Sequence, residues 1–172
     1  MSSLCANFTG QFYLSVSATT REPRPGEVNG KSYFFVTKGK FERLIESGGM
    51  LEWASVHGQN YYGTPAAPVD EALSQGKPVL LEIDLAGARI VKAKRPDAVT
   101  IFMQPPSWEE LVRRLRGRGT ESDADQERRL ETARTELAAV SEFDKVIVND
   151  DVFETTQELA KIMGLAYNDM SN

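Results

Sequence analysis

The sequence is poor in the residues that form disulfides and metal centres, since its 172 residues include one cysteine, Cys5, and one histidine, His57. A single cysteine excludes an internal disulfide framework and fits a reducing compartment. His57 has no cysteine or acid at metal-ligand spacing, so we interpret it as structural and predict no protein-held metal site. Nothing in the sequence resembles a CxxC site or a Ser-His-Asp arrangement.

Long apolar runs and an excess of basic charge are also missing. No apolar run approaches the roughly 18 residues that span a bilayer, and the first residues, MSSLCANFTGQ, lack the features of a signal peptide. A formal charge of -5 argues against binding nucleic acid through general electrostatics. We therefore expect a cytoplasmic protein without nucleic-acid or membrane partners, either a monomer or a weak homodimer.

What the sequence does contain is an alternation of short strands and helices, with 41% hydrophobic residues. Hydrophobic periodicity predicts strands over 12–17, 32–36, 50–56, 60–63, 78–84, 98–103 and 145–148. It predicts helices around 41–45 and over 65–75, 85–94, 108–116, 123–140 and 152–163. This order favours a three-layer α/β domain with a mostly parallel sheet. Ligands bind at the carboxyl ends of such strands, so we expect Ser15, Ser17, Glu82, Asp84 and Asn149 on one rim.

Two arginines follow the first predicted strand. Arg21 and Arg24 are three residues apart, and Pro23, Pro25 and Gly26 hold this stretch in an extended, non-helical path. Two guanidinium groups on a stiff turn suit a phosphate dianion, which arginine binds with two parallel hydrogen bonds. The alternative is a solvated arginine loop.

A second group of arginines surrounds Gly117 and Gly119; it comprises Arg113, Arg114, Arg116, Arg118, Arg128 and Arg129. Arginines on a hinged loop can bring positive charge to a phosphoryl group during its transfer. The alternative is helix-surface charge paired with Glu109, Glu110, Glu127 and Glu131. We favour the surface role for Arg113 and Arg128 and the functional role for Arg118 and Arg129.

Glu52 lies inside an otherwise apolar predicted strand, beside Trp53. A carboxylate accepts hydrogen bonds, and guanine presents two adjacent donors, N1–H and the 2-amino group, whereas adenine has no such pair. A glutamate here would therefore select guanine, unless it simply faces solvent at a strand edge. Tyr61 or Tyr62 would place a phenol in the same cleft, and Thr64 a hydroxyl.

Five motifs, in order and at the expected spacing, resemble guanylate kinase; they are SVSATTREPRPGEVNGKSYFFV, LEWASVHGQNYYGTP, VLLEIDLAGA, RLRGRGTES and FDKVIVNDD. The resemblance covers about residues 13–163. It implies the nucleoside-monophosphate-kinase type of α/β domain, over residues 15–165, with an atypical segment 1–14 and a polar tail 166–172. It also implies phosphoryl transfer from MgATP to GMP or dGMP, giving GDP and ADP.

The resemblance also implies roles for individual residues. Arg21, Arg24, Tyr33 and Tyr62 match contacts to the GMP phosphate, and Ser17, Glu52, Thr64 and Asp84 match contacts around guanine, with Glu82 beside them. Arg118 and Arg129 match catalytic arginines on the ATP phosphates, with Arg118 also counted as ATP-binding. Asn149 matches a position near adenine.

The family pattern begins with a strand, a G-x-x-x-x-G-K-[ST] loop and a helix, and this string does not occur in the printed sequence. The stretch from Gly26 to Ser32 is similar, but its glycines are four apart rather than five, and it follows a proline turn rather than a buried strand. We therefore expect the first strand and helix of the fold to be missing and ATP-driven activity to be doubtful. Three interpretations stay open: a shortened product or miscalled start, an inactive GMP-binding or protein-interaction module, and an enzyme that replaces the loop by other means. The presence of all GMP-side residues argues against an interaction scaffold.

Overall fold

A computed structural model describes residues 2–56, 58–116 and 123–166, and it divides the chain into two compact units. The middle unit is Thr9–Ala98. The terminal unit combines Met1–Phe8 with Val99–Asn172. His57 and Arg118, both singled out in the sequence, lie outside the described residues.

The elements follow the predicted alternation. In chain order they are α1 (Ser2–Asn7), β1 (Tyr13–Leu14), β2 (Ala18–Thr19), β3 (Phe34–Phe35), α2 (Lys38–Glu46), β4 (Met50–Val56), β5 (Asn60–Pro65), α3 (Ala66–Ser74), β6 (Val79–Leu80), α4 (Leu85–Lys94), β7 (Ile101–Gln104), α5 (Trp108–Arg116), α6 (Asp123–Ala138), a 3-10 turn (Val140–Glu142), β8 (Lys145–Val148) and α7 (Val152–Ile162). The α/β class is confirmed, and the predicted bounds of β4, α4, α5 and β8 agree with the structure.

The prediction of a mostly parallel sheet is correct for two strand pairs and wrong for the largest sheet. β1 pairs with β6, and β7 pairs with β8, both parallel. The four-stranded sheet has the order β3-β2-β5-β4, in which only β2 and β3 are parallel. The reason is local: β4 and β5 are separated by three residues, and so short a connection can join only antiparallel neighbours.

The predicted strand over 12–17 is too long, because only β1 lies within it and β2 begins after it, at Ala18. β1 pairs with β6, whereas β2, after the linking residues 15–17, pairs with β3 and β5. The predicted strand over 78–84 is likewise shorter, because only Val79–Leu80 lies in the sheet. The chain then leaves the sheet, and Asp84 becomes the N-cap of α4. Ser17, Glu82 and Asp84 therefore lie beyond the ends of strands, in connecting segments.

The core of the middle unit has two clusters, and β4 contributes to both. Met50 packs with Ala18 of β2 and Phe41 of α2. The next residue, Leu51, packs with Val69 of α3 and Val91 of α4. Glu52 follows directly and is the last buried residue of β4, so its carboxylate is placed by closely packed neighbours.

The terminal unit contains a helix that the sequence did not predict. α1 packs against α7, and Leu4 and Phe8 are almost completely buried. The short sheet of β7 and β8 buries Ile147 but leaves Met103 and Val148 exposed. Among the residues that the structure describes, no helix has the length and apolar character to cross a membrane.

Phe41 provides a test of this packing. Its ring is fully buried and stacks on Tyr61 with 5.3 Å between centroids. We expect Phe41→Ala to lower the free energy of unfolding by about 3–5 kcal/mol, because the site cannot collapse around the lost ring. Urea denaturation measures this change. As a control, Leu73→Ala removes a half-exposed side chain from α3 and should change stability by less than about 0.5 kcal/mol; equal losses for the two variants would contradict the proposed core.

Candidate nucleotide-binding site

The middle unit brings polar side chains together along β5. Tyr62 and Thr64 are two residues apart on this strand, so their side chains lie on the same face of the four-stranded sheet. In register, Thr64 is opposite Glu52 and Tyr62 is opposite Ala54 of β4. Two clusters follow from this arrangement, one around Glu52 and one around Arg21.

Glu52 is the centre of the first cluster. Glu52 is 7% exposed, and the hydroxyl of Thr64 donates a 2.6 Å hydrogen bond to its Oε1. Burial raises the pKa of the Glu52 carboxyl above its usual value, and the nearby charge of Asp84 raises it further, whereas the Thr64 hydrogen bond lowers it. The alternative of a solvent-facing edge glutamate is therefore wrong.

Asp84 closes the same cluster from α4. Its Oδ1 accepts a 2.7 Å hydrogen bond from the backbone N–H of Gly87 and so caps the helix. A Cβ built on Gly87 would lie 3.3 Å from both Asp84 Oδ1 and Glu52 Oε2. Both carboxylates therefore lie around the first turn of α4.

The two remaining residues predicted around guanine, Ser17 and Glu82, lie in connecting segments. Ser17 precedes β2, and its carbonyl oxygen accepts from the N–H of Phe34 at 2.9 Å. Glu82 is exposed in the segment between β6 and α4. Both belong to the middle unit.

Arg21 is the centre of the second cluster. Its Nε donates to the hydroxyl of Tyr62 at 3.1 Å, and its Nη1 and Nη2 each donate to the carboxylate of Glu27 at 2.9 Å. The guanidinium also lies over the ring of Tyr33, 5.5 Å from the centroid. Tyr62, Glu27 and Tyr33 thus fix this side chain, which is not part of a solvated loop.

Tyr62 is suited to bind an anion because of its bond to Arg21. Its oxygen accepts a hydrogen bond from Nε of Arg21, so its O–H group is available to donate a hydrogen bond to another acceptor. Tyr33 packs edge-on against Tyr62, with centroids 6.0 Å apart. Arg24 is exposed on the turn that follows. Arg21, Tyr33 and Tyr62 are thus brought together, with Arg24 nearby in the chain.

Sequence reasoning missed Glu27. Besides binding Arg21, its carboxylate accepts the backbone N–H of Arg24 at 2.6 Å, and these bonds lower its pKa to about 2. The signal was its position three residues after Arg24, within the stretch that resembles a phosphate loop. The stretch from Gly26 to Ser32 is not a phosphate-binding loop, because Gly30 has φ 79° and the strand β3 follows it rather than a helix.

The terminal unit holds the other predicted residues. Arg113 forms an ion pair with Glu110, which confirms its surface role, and Arg114 pairs with the same carboxylate. Together these arginines lower the pKa of Glu110 to about 2. Arg114 also donates to the carbonyl oxygen of Asn149 at 3.0 Å, a contact that the sequence did not predict.

Three further predictions concern α6 and β8. Arg129 lies half-buried on α6, and Arg128 is exposed there, in agreement with the surface role. Asn149 directly follows β8, and its N–H donates to Gln104 at 2.7 Å.

Comparisons with known proteins agree on one family. The profile of the family described as "Guanylate kinase" matches residues 1–165. The chain is 59% identical to the guanylate kinase of Rhodococcus jostii over 154 residues, covering 89% of this chain and 74% of that protein. It is 56% identical to the guanylate kinase of Corynebacterium glutamicum over 158 residues, covering 91% and 83%.

The fold is similar as well. A crystal structure of guanylate kinase from Anaplasma phagocytophilum matches with a TM-score of 0.75 and 35% sequence identity. The match covers 95% of this chain and 80% of that one. At this identity the likeness extends beyond the general α/β architecture.

The role of Glu52 can be tested with a nearly isosteric variant. We expect Glu52→Gln to weaken GMP binding about tenfold or more, because the amide places donors opposite the donors of guanine and leaves them unpaired. Ribose 5-phosphate, which lacks the base, should bind the variant as it binds the wild type. Isothermal titration calorimetry measures both ligands; equal losses for the two would refute a guanine-binding role.

The raised pKa of Glu52 predicts a pH dependence. Only the ionised carboxylate accepts both guanine donors, and burial makes this group take up its proton at a higher pH than an exposed glutamate does. Affinity for guanosine, which has no phosphate to titrate, should therefore fall on acidification before the ordinary carboxyl range is reached. Guanosine titrations between neutral and mildly acidic pH measure this. Glu52→Gln should show no such fall, and a parallel fall in both proteins would contradict the assignment.

Proposed function

Because this chain belongs to the guanylate kinase family, a family of nucleoside monophosphate kinases, we propose that its middle unit binds GMP or dGMP as phosphoryl acceptor. The reaction transfers a phosphoryl group from ATP to GMP and gives GDP and ADP. The observation that carries the proposal is the buried Glu52 carboxylate, held by Thr64 on the same sheet face as the Arg21–Tyr62 pair.

The base end of this site selects guanine through acceptor atoms. Oε1 of Glu52 is engaged by Thr64, so Oε2 is directed toward the N1–H and 2-amino donors of guanine. Asp84 supplies a second carboxylate beside it, and Ser17 and Glu82 are assigned to the same end of the site. Adenine presents no matching pair of donors, so its binding would leave Oε2 of the buried carboxylate without them.

The phosphate end fixes the acceptor nucleotide. The hydroxyl of Tyr62 donates a hydrogen bond to a phosphate oxygen, and Tyr33 contributes a second phenol. Arg21 and Arg24 supply the positive charge. Glu27 holds the guanidinium of Arg21 in place through two hydrogen bonds, so the arginine is oriented before the nucleotide arrives. This preorganisation places the attacking phosphate oxygen for in-line transfer.

The donor side is assigned to the terminal unit. We propose that Arg118 and Arg129 neutralise charge on the ATP phosphates during transfer and that Asn149 lies near adenine. Among the described residues no group of three or more His, Cys, Asp or Glu could hold a metal ion. We propose that Mg²⁺ enters with ATP as the substrate MgATP.

The same proposal covers the domain type. Residues 15–165 are taken as the guanylate kinase-like domain of nucleoside-monophosphate-kinase type. The likeness to the A. phagocytophilum enzyme supports this type, and the family match that ends at residue 165 supports the C-terminal limit.

Selective GMP binding is the test of the proposal. Titration with GMP should give one saturable site per chain, with AMP binding at least about tenfold more weakly, since a charge-assisted hydrogen bond contributes about 1.5–3 kcal/mol. Equal binding of GMP and AMP would overturn the guanine site. ADP release in a coupled assay with GMP and MgATP then tests transfer itself. Selective GMP binding without ADP release would favour the inactive GMP-binding alternative.

A further inference from the structure

We infer that Gly87 is a positioning residue for guanine selection. It lies in the first turn of α4, and the space that a side chain would fill there is bounded by the Oε2 oxygen of Glu52. This inference rests on the proposed function, because it assigns Oε2 to the guanine donors. Gly87 has no side chain of its own, so the role that we assign to it acts through Glu52.

The contacts around the missing Cβ are unusually close. A methyl group at Gly87 would lie 3.2 Å from Cβ of Ile83, 3.3 Å from Oδ1 of Asp84 and 3.3 Å from Oε2 of Glu52. Separations of 3.0–3.4 Å are tighter than most contacts of a Cβ atom in folded proteins and require a shift of a few tenths of an ångström. A methyl group could therefore be accommodated only if its neighbours move.

None of the three neighbours can move freely. Cβ of Ile83 is bonded directly to the main chain. Oδ1 of Asp84 is held at 2.7 Å by the N–H of Gly87 itself. The Glu52 carboxylate is anchored through Oε1 to Thr64 at 2.6 Å, so its only easy movement is a rotation that carries Oε2 away.

The helix cannot withdraw either, because α4 is attached to β4 over its whole length. Near its start Gly87 lies beside Glu52, one turn later Val91 packs in the same cluster as Leu51, and at its end Nζ of Lys94 donates to the carbonyl oxygen of Met50 at 3.1 Å. These positions, 87, 91 and 94, form one face of the helix. A methyl group at Gly87 therefore displaces the Glu52 oxygen rather than the helix.

The displaced atom is the one that guanine requires. Charge-assisted hydrogen bonds depend on close donor–acceptor distances, so moving Oε2 weakens its bond to guanine without affecting the phosphate cluster. Alanine also has a higher helix propensity than glycine, which opposes any loss of stability from crowding. A loss of guanine selectivity without a corresponding loss of stability is the signature of the proposed role.

The experiment compares Gly87→Ala with a matched variant, Gly39→Ala. Gly39 also lies in the first turn of a helix of the middle unit, but there an added Cβ meets only Nη1 of Arg43, at 3.8 Å. We expect Gly87→Ala to weaken GMP binding about tenfold, to leave ribose 5-phosphate binding within about twofold of wild type, and to keep the urea unfolding midpoint near that of wild type. Gly39→Ala should bind both ligands as the wild type does.

A double-mutant cycle identifies Glu52 as the intermediary. In the Glu52→Gln background, Gly87→Ala should cause little further loss of GMP binding, whereas independent effects would add. Additive losses, equal losses for GMP and ribose 5-phosphate, or unchanged GMP binding in Gly87→Ala would each overturn the inference. If the wild type does not bind GMP at all, the proposed function fails instead; if it does and Gly87→Ala behaves as Gly39→Ala, only this inference fails.

A second pair of variants covers the case in which Gly87→Ala does not fold. Glu52→Asp shortens the side chain by one methylene and withdraws its oxygens from Gly87. The double variant Glu52→Asp/Gly87→Ala should then fold with the stability of Glu52→Asp alone, as measured by its urea midpoint. Failure of the double variant to fold would show that the space at Gly87 serves the packing of Ile83, and would overturn the role assigned through Glu52.

Discussion

The hydrogen bond from Thr64 to Glu52 determines the geometry of the proposed GMP site. A buried carboxylate is costly unless it is paired, so β4 and β5 are held in the register that places these two residues opposite each other. The same register places Tyr62 on the same face, where it binds Arg21. A slip of one residue would bring Gly63 opposite Glu52 and turn both Tyr62 and Thr64 away. The base and phosphate ends of the site thus depend on a single strand pairing.

The fold was predictable where local pattern decides it. α4 begins at its Asp84 cap and β4 follows a Gly-Gly stop, so both were located from the sequence. The sheet was not, because strand direction depends on partners far apart in the chain. The alternation over 12–17 predicts one strand, yet only Tyr13–Leu14 pairs there, with β6, and the next strand, β2, pairs with β3 and β5. Hydrophobic periodicity predicts that a segment is a strand, but it does not predict which other strand it pairs with.

The site was predictable where chemistry restricts the residue type. Donor and acceptor counts pointed to Glu52, and the spacing of Arg21 and Arg24 pointed to phosphate; the roles beyond these came from the family resemblance. Glu27 and Gly87 were not predicted, because their importance is spatial. Glu27 matters through the arginine that it orients, and Gly87 through a contact distance that only the docking of α4 on β4 creates. Such second-order roles need a three-dimensional structure.

The central claim is that Glu52 accepts hydrogen bonds from both donors of guanine. It is tested most directly by comparing GMP with inosine 5′-monophosphate. Inosine keeps the N1–H of guanine but lacks its 2-amino group, so the two ligands differ by one donor and share the same phosphate contacts. We expect the wild type to bind GMP about tenfold or more tightly than inosine 5′-monophosphate in calorimetric titrations at neutral pH. Equal affinity for the two nucleotides would contradict it.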